Sequence, residues 1–164
     1  MKTLAEIQNE VSRLAAQIGA MEKFLPTYGR TTDGARPHIE VDSRGYHYVV
    51  VERGEEIKRI ITRDFDELLY HIFESVTSTL TYDYELANRI ENQDCRRLAF
   101  QHQIELLSKI STTWANRESK QHGEVLRQHP FDDDSDARVR LSKQVGWTKA
   151  CEKYPLPVGL IKPV

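Results

Sequence analysis

The chain has only two cysteines, Cys95 and Cys151, far apart and in no CxxC pair. That excludes a disulfide framework and gives no zinc-ligand spacing, and it suits a reducing compartment. Long hydrophobic runs are also missing, and none approaches the roughly 20 residues that a membrane helix needs. The N-terminus, Met1–Glu6, enters an amphipathic pattern with an acidic residue, whereas a secretory signal starts basic and continues apolar. A cytoplasmic location with no membrane partner is therefore expected. Excess charge is lacking too. Lys and Arg number 23 against 25 Asp and Glu, a net charge of -2, and Arg96 and Arg97 stand apart from any basic stripe with interleaved aromatics. No direct contact with nucleic acid is expected. There is no GxGxxG or phosphate-loop pattern, and Ser, His and Asp occur in no nucleophile-elbow context. The acidic run Asp132–Asp136 lacks the ligand spacing of a calcium loop.

What is present is the patterning of a globular chain. Its 164 residues, 39% of them apolar, suit one core, and the expectation is a single α+β domain over 1–150 followed by a proline-rich tail over 151–164. Thr3 and Glu6 have capping-box spacing, and Leu4, Ile7, Val11, Leu14, Ile18 and Met21 form one apolar stripe of a helix packed on the core. From Pro37 the period becomes two. Ile39 and Val41 alternate with polar residues, and Ser43-Arg44-Gly45 makes a turn. Tyr46–Glu52 is β-branched and aromatic on both faces, which marks a central strand. Gly54-Glu55 suits a tight hairpin turn. Ile57–Thr62 forms a third strand, with Ile57 and Ile61 on one side and Ile60 on the other.

The remainder reads as helical. Asp64 and Glu67 suggest a second capping box before Leu68, Leu69, Ile72, Phe73, Val76 and Leu80. A third helix is expected from Asp83 to Ile110. A fourth starts at Ser111 or Thr112 and stops at His129 before Pro130, with Val125 and Leu126 facing inward. A short fifth runs from Ala137 to Val145. The expected fold is α+β: a three-stranded antiparallel β-meander packed with an N-terminal helix and three to four further helices.

Several polar constellations admit a chemical reading. Glu67, His71 and Glu74 share a helix face, as do Glu118 and His122, but a metal site needs further ligands from another element, so solvated helix faces are the simpler reading. Arg97 lies on the line Ile90–Gln93–Arg97–Phe100–Ile104, where a charge is costly unless paired. Pairing with Asp94, or with a carboxylate on a neighbouring helix, answers that cost, and a polar recognition surface is the alternative. An enzyme built from helix-borne His, Glu and Asp residues, with or without a metal, would use Glu91 or Asp94 as general base. Neither has an evident nucleophile or second carboxylate beside it. No catalytic, cofactor or metal residues are assigned.

Five blocks carry a family resemblance: Tyr46–Gly54, Asp66–Tyr70, Tyr84-Glu85-Leu86 with Arg89, Gln93–Arg97 with Phe100 and Gln103, and His129–Asp133. In order and spacing they resemble the bacterial immunity protein sixty-three family of polymorphic toxin systems. The resemblance implies an antidote, not an enzyme, that binds a cognate toxin domain and blocks it. Toxins of such systems are often nucleases, so a nuclease is the expected target. No active site carries over, and a monomer is the favoured state. Tight inhibition needs an interface of about 1,600 Å² with a few buried anchors, commonly Tyr, Trp and Arg. The candidate partner-binding residues are Tyr82, Tyr84, Glu91, Asp94, Arg96, Trp114, Asp132, Asp133, Asp134 and Trp147. The Asp132–Asp136 loop is expected to imitate phosphate toward a basic cleft.

Overall fold

The computed structural model describes residues 1–158. The described residues fall into two compact units. One comprises Met1–Leu80 with Leu106–Trp114, the other Thr81–Glu105 with the chain from Ala115 on.

The first unit opens with α1 (Leu4–Gln17). Its capping box is formed: Thr3 Oγ1 accepts from Glu6 N, and the Glu6 carboxylate accepts from Thr3 N at 2.7 Å. Ile7, Val11, Leu14 and Ala15 are buried. The large side chains Ile7, Val11 and Leu14 contribute about 1.5–3 kcal/mol each. The expected stripe stops short. The helix ends at Gln17, the chain turns at Gly19 (φ 67°), and Met21 is exposed.

The strands are β1 (Thr27–Tyr28), β2 (Pro37–Asp42), β3 (Gly45–Glu52) and β4 (Glu55–Thr62), in spatial order β1-β2-β3-β4. The last three are the antiparallel meander read from the sequence. The sheet nevertheless has four strands and is mixed, because β1 pairs parallel to β2. A two-residue strand is too short to show a period, which is why it went unread. β3 is central, with every residue from Gly45 to Val50 buried. Gly45 (φ 149°) cannot carry a side chain, since a Cβ there would sit 2.3 Å from the Thr62 carbonyl oxygen. The β3–β4 turn centres on Arg53 (φ 53°) and Gly54 (φ 80°), between the pair Glu52 and Glu55. It is thus one residue earlier than the expected Gly54-Glu55, with the two successive positive φ values that hairpin twist favours. A bulge lies at Val50/Val51. Ile57 and Ile61 are exposed.

Polar residues of the sheet are tied together. Arg59 bonds Glu40 at 2.7 Å and Glu56 at 2.7 Å, and its Nη1 donates to Nδ1 of the buried His47 at 2.7 Å. His47 therefore carries its proton on Nε2 and donates to Asp42 at 2.8 Å.

α2 (Phe65–Ala87) is capped by Asp64, which accepts from Asp66 N, while Glu67 reaches on to His71 at 3.0 Å. Leu68, Leu69, Tyr70, Ile72, Phe73 and Val76 are buried in this unit. Trp114 stacks on Phe73 (6.0 Å between centroids) and meets Tyr70 edge-on, and its Nε1–H donates to Asp66 at 3.0 Å.

In the second unit α2 continues through Asp83, where a new helix was expected. No glycine or proline lies between Leu80 and Ala87 to stop it. The break falls at 88–94, where Asn92 takes φ 57°. α3 (Cys95–Ile110), α4 (Thr112–Gln128), α5 (Ser135–Val145) and α6 (Trp147–Lys153) follow. The last was not expected, so α1 is accompanied by five further helices among the described residues. The last three residues of α6 overlap the start of the expected proline-rich tail, whose residues 159–164 lie outside the described residues. Ala99, Gln103, Ala115, Glu118 and His122 are buried. His122 stacks on Phe100 at 3.8 Å, with Nε2 3.1 Å from Gln103 Oε1 and 3.2 Å from Glu118 Oε1. The buried face of α4 thus carries polar side chains, whereas Val125, expected inside, is exposed.

Candidate functional site

Two features of the second unit meet where α2 gives way to α3. The first is a ridge. Tyr82, Leu86 and Ile90 recur every four residues along the end of α2 and the loop after it, and they are 46, 65 and 51% exposed. Tyr82 and Leu86 share one helix face. Tyr84 points elsewhere and stacks on His102 at 4.0 Å. From Tyr82 to Glu91 only Glu85 is buried, and it holds Arg89 through two hydrogen bonds of 2.9 and 3.0 Å. Large apolar side chains exposed this close together in sequence mark a surface that costs free energy in water.

The second is a lock of charged groups beside it. Asp94 caps α3 by accepting from Arg96 N, and its carboxylate also accepts from the Arg96 guanidinium (2.6 Å) and from Asp132 N (2.8 Å). Burial works against its charge, but Arg96 and the N–H groups of Asp132 and Arg96 outweigh that effect and hold its carboxyl below the usual range. Arg96 donates further to the carbonyls of His129 and Pro130. Asp133 accepts from Asp94 N and, bidentately, from Arg97, whose guanidinium lies over Phe131 at 4.1 Å. Asp132 forms a bidentate pair with Arg138, which is 1% exposed and also donates to the Tyr154 and Pro155 carbonyls. A cleft of about 420 Å³ opens between these groups, lined by Arg89, Cys95, Arg96, His129 and Asp136 among others.

The structure thus brings Asp94, Arg96, Asp132 and Asp133 together, with Tyr82 and Glu91 on the segment that leads into them. Other expectations need correction. Trp114 is 4% exposed, a core residue held by Phe73 and Asp66, and so is no surface anchor. Arg97 is exposed, not core-facing, and its partner Asp133 lies in the loop before α5, not on a neighbouring helix. Asp132 and Asp133 spend their charge on Arg138 and Arg97, which leaves Asp134 and Asp136 as the exposed acids of that loop. Trp147 is 53% exposed at the start of α6. Sequence reasoning missed Arg138, which lies six residues after Asp132 at a spacing no helix rule singles out. It also placed Ile90 on a core-facing line of the expected third helix, whereas Ile90 is exposed in the loop before α3.

The donors around Asp94 saturate it, so it is not poised as a base. His71 pairs with Glu67 on its own helix, and His122 with Glu118 on its own. Among the described residues no group of three or more His, Cys, Asp or Glu is placed to hold a metal ion, and no helix is long and apolar enough to cross a membrane.

A mixed four-stranded sheet and six α-helices among the described residues make this an α+β protein. The family model for immunity protein 63 matches residues 42–124, half of the chain, and the chain belongs to that family. The match starts four residues before the stretch that carried the resemblance and stops short of His129–Asp133, so that block lies outside it. No curated protein and no solved structure matches the chain.

Proposed function

We propose that this protein neutralises a cognate toxin domain by binding it and covering its working surface, transforming nothing itself. Membership of the immunity protein 63 family over residues 42–124 is the observation that carries the reading. The exposed side chains of Tyr82, Tyr84 and Trp147 are anchors of the kind such an interface uses. A nuclease is the target class we favour, because toxins of these systems often cut nucleic acid. The protein acts as a monomer in the cytoplasm, where that toxin would strike.

Co-expression tests it. Cells producing the toxin domain encoded beside this chain survive when the chain is co-produced and die without it. Death in both cases removes the proposal. Loss of nuclease activity in the purified complex, with nucleic acid as substrate, supports the target class, and a toxin with no such activity removes that part alone.

A further inference from the structure

We infer that the apolar ridge Tyr82–Leu86–Ile90 is the docking surface, and that its occupant is a toxin domain presenting an apolar patch with a basic rim. The inference rests on the antidote reading and names the partner's chemistry. Residues 82–97 and 132–140, parts of which line one cleft, contain eight carboxylates and five arginines, a net charge of -3 where the whole chain has -2. Four arginines are taken by four carboxylates: Arg89 by Glu85, Arg96 by Asp94, Arg97 by Asp133 and Arg138 by Asp132.

Asp83, Glu91, Asp134 and Asp136 are exposed and form no salt bridge among the described residues, although Asp136 acts on Arg89 and Asp134 on Arg138 at longer range. The remaining arginine, Arg140, bonds Asn92 at 3.5 Å. Asp83 lies one helical turn before Leu86, Glu91 follows Ile90, and Asp136 lines the same cleft as Arg89. The ridge therefore offers one aromatic and two aliphatic anchors, with Asp83 and Glu91 next to them along the chain and outside any salt bridge. Anchors that lose their water set the dissociation rate, and rim charges set the association rate. A basic, partly apolar face complements both, while an acidic face is repelled and a second copy of this surface meets its own charge.

Binding kinetics with the purified toxin domain encoded beside the chain decide the matter. Leu86→Ala with Ile90→Ala should weaken the complex about 100-fold, mostly through faster dissociation. Glu91→Lys with Asp134→Lys should slow association and flatten its salt dependence. Ile57→Ala, on β4, should bind like the wild type. All three should keep the wild-type melting profile, because the altered side chains are exposed. A wild-type chain that forms no complex removes the antidote reading and this inference with it. A wild-type complex that the Leu86/Ile90 variant matches in affinity overturns the docking surface alone. A free chain that dimerises, and loses the dimer in that variant, assigns the ridge to a second copy and also overturns it.

Discussion

Arg138 carries the largest single-residue commitment in the second unit. Its guanidinium is buried and each of its three nitrogens donates, to two Asp132 oxygens and two carbonyls. Removing one partner of such a pair leaves the other charge stranded at a cost of about 3–5 kcal/mol. Arg138→Met should therefore lower stability by about that amount in urea unfolding, and Arg138→Lys should recover only part of it, since an ammonium cannot reproduce the two-pronged geometry. None of this was legible in the sequence. The acidic run stood out, but its cations come from six residues ahead and from α3, and a run of aspartates looks the same whether solvated or paired. Arg97 shows the converse. Its need for a partner was legible from its charge, yet the α2–α3 break moved it off the apolar line on which it had been placed.

Among the elements, those with a sustained period were legible. α1 showed its cap and stripe, β2 its alternation, and β3 a continuous β-branched and aromatic run. Elements whose limits depend on tertiary contacts were not: the two-residue β1, the unbroken α2 and the short α6. The β3–β4 turn gives a test at this scale. Arg53 holds a left-handed conformation that disfavours an ordinary side chain, while asparagine tolerates it. Arg53→Asn should raise stability by about 0.5–1 kcal/mol, read as a higher urea midpoint at unchanged slope. Trp114 tests the junction of α2 and α4 within the first unit. Trp114→Phe keeps the stack on Phe73 but loses the hydrogen bond to Asp66, for about 1 kcal/mol. Trp114→Ala opens a cavity and should cost about 3–5 kcal/mol. If both variants melt like the wild type, that side chain is not packed as described.

At the scale of the molecule, the matched span 42–124 includes stretches of both units, because the boundaries between them fall within α2, α3 and α4. Charge pairing is likewise spread through the chain and gives it a common response to acid. Arg59 holds the carboxyls of Glu40 and Glu56 below their ordinary range, Arg44 and then His47 do so for Asp42, and Arg97 does so for Asp133, alongside Asp94. Each of these groups has a lower pKa folded than unfolded, so the folded state binds fewer protons. The stability they contribute is fully present above the unfolded values of 3.8 for Asp and 4.5 for Glu, and drains away as pH falls through the folded values. The urea midpoint should be flat from pH 7 to 5 and drop steeply below 4, and a midpoint as high at pH 3 as at pH 6 would contradict these pairings.

Gly45 has a consequence for tracing this sheet in other chains. With the Thr62 carbonyl 2.3 Å from where a methyl group would stand, even alanine forces the far end of β4 to give way. The position thus works as a one-residue marker. A distant sequence with glycine at the start of the second antiparallel strand is free to keep all three in the same alignment, whereas one without it must have moved the third strand at that end.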